Sequence, residues 1–173
     1  MTLLKKESKF MMHYIGDPTL RQKAKAVINF DARLRKTINR MIELMHEEEG
    51  IGLAGPQVGI SERLLVVDIS SIEKSETPKA FINPEIMAME GESTIEEGCL
   101  SIPGVREEVT RPEKITLVYQ DETGQRKQDH FDGWMARVLQ HEIDHLNGVL
   151  FVDYISPLKK QLLINQEVIP EKY

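Results

Sequence analysis

Asp132-Gly-Trp-Met-Ala-Arg-Val-Leu-Gln-His-Glu-Ile-Asp-His-Leu-Asn-Gly148 reads as one helix that carries chemistry as well as structure. Asp132 is a good N-cap and Gly148 a good C′ residue, and Gly133 to Asn147 is the length of an ordinary globular helix. Residues four apart on a helix lie about 40° apart around its axis, so His141 and His145 can bind one metal ion together. Glu142 falls just off that line and is free to handle protons at a water on the ion. A bare His-Glu-x-x-His also arises on surface helices, so the rest of the helix matters. Trp134, Arg137, Val138, His141, Asp144 and His145 share one face, while Met135, Leu139, Ile143 and Leu146 lie roughly opposite. Two faces that both need cover place the helix between layers, with the histidines pointing inward.

Composition suits such an enzyme. A chain of 173 residues, 40% hydrophobic and 29% charged, can form one domain with a real core. The net charge of −6, without basic clusters interleaved with aromatics, offers no footprint for nucleic acid. Cys99 is the single cysteine, which excludes an internal disulfide and suits a reducing compartment. No stretch resembles a membrane span, and Met1 to Phe10, with Lys5, Lys6 and Lys9, lacks the apolar run of a secretory signal. The expected organisation is an N-terminal extension over 1–11 and a single catalytic domain over 12–173, in the cytoplasm.

The fold class expected is α+β. Leu34, Ile38, Met41, Ile42 and Met45 form a helical stripe, with Asn29 or Asp31 as cap and Gly50 as stop. Short runs rich in branched or aromatic residues follow: Arg63 to Ile69, Lys79 to Ile82, Val105 to Thr110, Lys114 to Tyr119 and Gln125 to Phe131, with a hairpin turn at Asp121 to Gly124. Strands clustered between helices, without β-α alternation, imply antiparallel or mixed sheets packed around the metal-binding helix. A last helix begins near Pro157.

Two further segments look built for chemistry. Gly50-Ile-Gly-Leu-Ala-Gly-Pro-Gln-Val-Gly-Ile60 holds too many glycines for a helix or strand interior, so its backbone turns sharply or approaches something closely. Without a Gly-Lys-Ser/Thr ending it is not a phosphate loop. The second is Glu96-Glu-Gly-Cys-Leu-Ser-Ile-Pro103. Taken alone, Cys99 is more often a small buried hydrophobe than a ligand.

Together the three segments resemble the peptide deformylases, which carry a G-I-G-L-A-A-P-Q-V-G type loop, an E-G-C-L-S segment and a Q-H-E-x-D-H helix in this order. Here they stand at Gly50 to Gly59, Glu97 to Ser101 and Gln140 to His145. Asp17-Pro18-x-Leu20-Arg21 and Gly148 to Pro157 are also similar, so the likeness runs from Met12 to Leu158. Gly55 replaces the usual alanine, which implies a slightly looser loop. The tail after Pro157 is short, and the longer helix that serves some relatives for ribosome docking is not evident.

The resemblance implies a divalent ion bound by Cys99, His141 and His145 with water or hydroxide in a fourth position, Fe(II) in the cell, with zinc, nickel or cobalt also accepted. Three protein ligands and an open position are also what a catalytic site requires. The implied reaction removes the N-formyl group from the first methionine of nascent polypeptides and releases formate. Glu142 would serve as general base and then acid, and Gln57 and the Leu100 N–H as oxyanion donors. Ile51, Gly52 and Gly98 would pair with the peptide as an added strand. Trp134 and Val138 would wall the methionine slot. Arg137 would cap the pocket mouth, reach a substrate carbonyl, or snorkel to solvent. Asp144, beside His141, needs a partner if buried, and Arg111 is the one expected. A zinc peptidase shares the His-Glu-x-x-His signature, and a peptide-binding module could share the fold. The peptidase does not account for Cys99 and Gln57 in matching motifs and lacks a metzincin third-ligand pattern after His145, and the presence of all the expected catalytic groups weighs against the module.

Overall fold

The computed structural model describes residues 10–173. Helix α1 (Ala32–Glu47) starts where Asp31 accepts the Leu34 N–H at 3.0 Å. Its end differs from expectation. The left-handed residue is Glu49 (φ 56), and the Gly50 N–H bonds back to the Met45 carbonyl. Seven strands follow: β1 (Gly52–Ala54), β2 (Leu64–Val67), β3 (Lys79–Glu90), β4 (Ser93–Cys99), β5 (Ile102–Arg111), β6 (Lys114–Gln120) and β7 (Arg126–Phe131). Then come α2 (Gly133–Leu146) and α3 (Pro157–Asn165).

All strand pairs are antiparallel, in a five-stranded sheet of order β1-β2-β3-β6-β7 and a two-stranded β4-β5 sheet. Strand β2 explains the layering. Successive side chains of a strand point to opposite faces, and all four of Leu64-Leu65-Val66-Val67 are buried. Leu64 and Val66 pack with Leu34, Ile38 and Met41 of α1, while Leu65 and Val67 pack with Leu139, Ile143 and Leu146 of α2. A continuous apolar run is what a strand covered on both faces requires. The other side of α2 meets the two-stranded sheet, whose Ile102, Val105 and Val109 form a third cluster with Leu150, Phe151 and Ile155. Helix α2 therefore lies between two sheets, and eleven of its residues are buried.

Strands β1 and β4 lie where no strand was expected, β5 starts three residues before the expected Val105, and β3 runs past its expected end. Strand β3 runs on to Glu90 through Asn83-Pro84, a stop signal in sequence. Asn83 absorbs the interruption in a bulge at φ 51, its side chain bonded to both backbone groups of Val27. Strand β1 lies inside the glycine-rich segment, with Gly52 opposite Val67. The expected terminal extension falls largely on residues 1–9, outside the described residues, while Phe10 packs partly buried against the α1 cluster. Among the described residues no helix is long and apolar enough to cross a membrane.

Gly55 has a packing role rather than a loosening one. It opens a 3-10 turn over Gly55–Val58, and an added Cβ would lie 2.7 Å from the Ile60 carbonyl oxygen and 2.8 Å from that of Glu62. Backbone atoms cannot swing aside as a side-chain end can. Gly55→Ala is therefore expected to cost about 1–3 kcal/mol, the range for overpacking a filled site, read as a lower midpoint in thermal melts. An unchanged midpoint would show that the turn yields freely.

Candidate metal centre and active site

Cys99 ends β4 at a break in the β4–β5 register, between Gly98 and Cys99, and His141 and His145 stand one turn apart on α2. The three side chains converge so that one ligand atom of each lies within 4.8 Å of the others. Cys99 Sγ is 3.3 Å from His145 Nε2. One thiolate and two imidazoles form a donor set suited to zinc and to several other first-row divalent ions.

A carboxylate outside the ligand set orients it. Glu97, two residues before Cys99, is buried, and both of its oxygens are filled. Oε1 accepts from Arg111 Nε at 2.6 Å and Arg137 Nη1 at 2.9 Å, and Oε2 from Arg111 Nη2 at 3.0 Å and His141 Nδ1 at 3.0 Å. Burial alone would raise the Glu97 carboxyl, but the bonds to His141 and Arg111 hold it well below the usual carboxylate range. With Nδ1–H committed to Glu97, His141 keeps the lone pair of Nε2 free for a metal. Burial works against a charged His141, yet its bonds to Cys99 and Glu97 raise it well above its ordinary value, and the Nε2 proton so favoured is the one a bound ion would displace. Burial, then repulsion from His141 and Arg111, keeps His145 low and neutral. His145 Nδ1 is buried without a hydrogen-bond partner among the described residues.

The expected Arg111–Asp144 pair forms at 2.8 Å, with the Tyr154 hydroxyl donating to Asp144 at 2.9 Å and the Tyr154 ring centred 4.9 Å from the guanidinium. Glu97, which the sequence reading left without a role, is the more buried partner. Arg137 needs correction. It is buried and donates to Glu97, the Val109 carbonyl, and the Ser93 carbonyl and hydroxyl. It lines the cavity, but its guanidinium faces the β4-β5 sheet and neither caps the mouth nor snorkels to solvent.

Glu142 differs in kind. Its Oε2 is buried with no hydrogen-bond partner among the described residues. Desolvation pushes its carboxyl up to about 7, with His141 opposing and Glu97 adding to the rise. Gly52 makes room for it, since an added Cβ there would lie 2.5 Å from Glu142 Oε1 and 2.7 Å from Val138 Cγ1. Gln57 is pinned by the Ala54 N–H, which donates to its Oε1 at 2.8 Å. A backbone N–H can face only the oxygen, so Nε2 points the other way, donating to Ser101 Oγ at 3.1 Å and lying 3.6 Å from Cys99 Sγ.

These groups border one cavity of about 540 Å³. Ile51, Gly52, Gln57, Gly98, Cys99, Leu100, Trp134, Val138, His141 and Glu142 line it, with Glu49, Ile72, Glu96 and Arg106. His145 is not in the lining and reaches the ligand cluster from within α2. Ser101 and Glu97 are the polar site residues that sequence reasoning missed. Their signal is only positional, one two residues before and one two residues after Cys99.

A family profile described as polypeptide deformylase matches residues 10–161. The chain belongs to the polypeptide deformylase family. A peptide deformylase of Thermotoga maritima is 48% identical over 155 residues, covering 89% of this chain and 92% of the relative. One from Prochlorococcus marinus (strain NATL1A) is 49% identical over 155 residues, covering 87% and 77%. The crystal structure of a peptide deformylase from Synechococcus elongatus in complex with actinonin matches with a TM-score of 0.88 at 42% identity, over 96% of this chain and 91% of that one. That from Thermotoga maritima matches at 0.80 and 47%, over 86% and 98%.

The deformylase site thus rests on a buried ion cluster. Arg111→Ala would leave Glu97 short of two donors and Asp144 of one. Breaking a buried pair from one side costs about 3–5 kcal/mol, so denaturant unfolding should show a loss of that size. A loss below 1 kcal/mol would mean that Arg137 and His141 suffice to hold Glu97.

Proposed function

We propose that Cys99, His141 and His145 hold one divalent ion, Fe(II) in the cytoplasm with zinc, nickel or cobalt as substitutes, and that Glu142, Gln57 and Leu100 carry the chemistry around it. As a family member the chain is a hydrolase that removes the N-formyl group from new polypeptides. The observation that carries the assignment of roles is the unpartnered Glu142 carboxylate facing the same cavity as Cys99, His141 and the Gln57 amide. An ion held there supplies Lewis acidity and lowers the pKa of water in its open position.

The chain's own groups do the rest. Glu142 takes a proton from the attacking water as the oxygen bonds to the formyl carbon. It then delivers that proton to the peptide nitrogen as the C–N bond breaks, releasing formate and a free N-terminus. A carboxyl near 7 is suited to both steps. Negative charge grows on the carbonyl oxygen, and two donors are available for it. Gln57 Nε2 has two hydrogens, one engaged by Ser101 and one toward the ligand cluster. The Leu100 N–H makes no backbone hydrogen bond among the described residues.

The peptide enters as a strand. β1 ends the larger sheet and β4 has a neighbour on one side only, so Gly52 and Gly98 offer backbone edges along the cavity, while Ile51, whose carbonyl already accepts the Asp68 N–H, lines it beside them. Trp134 and Val138 wall the slot for the first side chain, with Ile51 and Leu100 beside them. Arg137 supports this wall from behind through Glu97 and Ser93 instead of meeting substrate. Beyond Ser156 the described residues form the nine-residue α3, behind which Ile169 is buried and Tyr173 lies against Arg21.

Metal analysis and formate release separate the roles. Cys99→Ala should lose its metal. Glu142→Gln should keep stoichiometric metal and lose activity by roughly 10²- to 10⁴-fold, the contribution of a positioned acid or base. Wild-type turnover in Glu142→Gln, or full metal content in Cys99→Ala, would remove that residue from its role.

Substrate choice gives an independent check. Next to the ligands the space is closed by Gly50 against Leu100 and by Gly52 against Glu142, where even a Cβ would clash. Formyl-methionyl peptides should therefore react and acetyl-methionyl peptides should not. Formyl-norleucine should match formyl-methionine, whose thioether makes mainly dispersion contacts, while formyl-aspartate places an unpaired charge in the slot and should react poorly. Equal rates on formyl and acetyl substrates, or cleavage of an internal peptide bond, would contradict this reading.

A further inference from the structure

The oxyanion donors proposed above, the Gln57 amide and the Leu100 N–H, come from two separate loops, and residues 13–15 bridge these loops. The His13 N–H donates to the Gln57 carbonyl at 2.8 Å and the Ile15 N–H to the Ser101 carbonyl at 2.8 Å. In an extended segment residues two apart face the same way, so one short stretch holds both loops in a single register. Its side chains are rooted in different clusters, Met12 with α1 and Ile15 with the two-stranded sheet.

The His13 ring fixes that register from two sides. Nδ1 lies 2.6 Å from Asp17 Oδ2. Beyond the ring, Nε2 sits so close to Gly59 that an added Cβ there would be 2.9 Å from it. Gly59 closes the turn that carries Gln57, at φ 75, with its N–H bonded to the Gly55 and Pro56 carbonyls. Asp17 is anchored in turn by the Thr19 N–H at 2.8 Å, at the start of the Pro18–Arg21 turn. The bonds from His13 and then Thr19 hold its carboxyl down to about 2, so it stays ionised as an acceptor. Neither His13 nor Asp17 lines the cavity.

We infer that His13 and Asp17 are positioning residues for deformylation: the Asp17-anchored imidazole braces the Gln57 turn and sets the Gln57 amide against the Leu100 N–H. This rests on the oxyanion role proposed for Gln57. Without the brace the turn remains folded, held by its own backbone bonds, but the amide is no longer fixed at the distance the transition state requires.

The test uses the full-length, metal-loaded protein and a formyl-methionyl peptide. In His13→Ala and in Asp17→Ala, kcat should fall roughly tenfold, a fraction of the 10²- to 10³-fold lost when an oxyanion donor is removed outright, with KM and metal content unchanged. His13→Asn, which keeps a donor for Asp17 at the place of Nδ1 but has no ring edge against Gly59, should lose kcat as His13→Ala does. Placed in a Gln57→Leu background, either alanine change should cost nothing further, because the group it positions is gone. Should an alanine variant fail to fold, Asp17→Asn carries the same cycle, with a several-fold loss expected. Unchanged kcat in the folded variants, or an equal loss in the Gln57→Leu background, would overturn the positioning role. Wild-type kcat in Gln57→Leu alone would instead overturn the oxyanion role of Gln57.

Discussion

The Glu97 carboxylate, filled on both oxygens by Arg111, Arg137 and His141, is the interaction on which the rest of the site depends. An ionised carboxylate removed from water is tenable only when fully paired, and its partners come from β5 and α2 while Glu97 itself belongs to β4. Satisfying one buried charge therefore joins the small sheet to the metal helix. It also places Cys99, two residues along the same strand, opposite the two histidines. His141 is oriented in the same act, its Nδ1–H directed to Glu97 and its other nitrogen to the ligand cluster. Arg111 extends the network to Asp144 and Tyr154, so the outward end of α2 is tied as firmly as its buried middle.

Glu142 is the counterpart. It neighbours His141 in sequence and is buried as deeply as Glu97, yet it has no donor on Oε2. The two carboxylates are driven apart, Glu97 well below the usual range by its cationic partners and Glu142 up to about 7 by desolvation. Paired titratable groups with opposed environments mark a division of labour: one holds a charge permanently, and the other can gain and lose a proton. Gly52 serves this division sterically, since any larger residue would displace the Glu142 carboxylate.

Much of this was legible in the chain. The two-sided apolar pattern of α2 announced burial between layers, and the α1 stripe and the strands β2, β6 and β7 followed local periodicity closely. The convergence of His141 and His145, with Glu142 beside them, was readable because helical spacing fixes it before any tertiary contact forms, whereas Cys99 joined them only through the family resemblance. What was not readable depends on contacts distant in sequence. Strand β3 passes a stop signal at Asn83-Pro84 because Val27 and Gln120 absorb the Asn83 side chain. In β4, Glu97 reads as a solvated charge until two arginines arrive from other elements, and Arg137 reads as a free cation for the same reason. The glycines of Gly50 to Gly59 signalled close approach, but what approached them, Leu100, Glu142, Val138 and backbone carbonyls, emerged only on folding.

If Glu97 governs the metal centre through His141, the affinity for metal must respond to it although Glu97 is not a ligand. The direct measurement is a chelator-competition titration of zinc into wild type and Glu97→Gln, with circular dichroism establishing that the variant is folded. Loss of an outer-sphere partner weakens metal binding by roughly 10- to 100-fold, and a shift of that size is expected here. Equal zinc affinity in a folded Glu97→Gln protein would contradict the account and leave Glu97 as a structural ion pair alone.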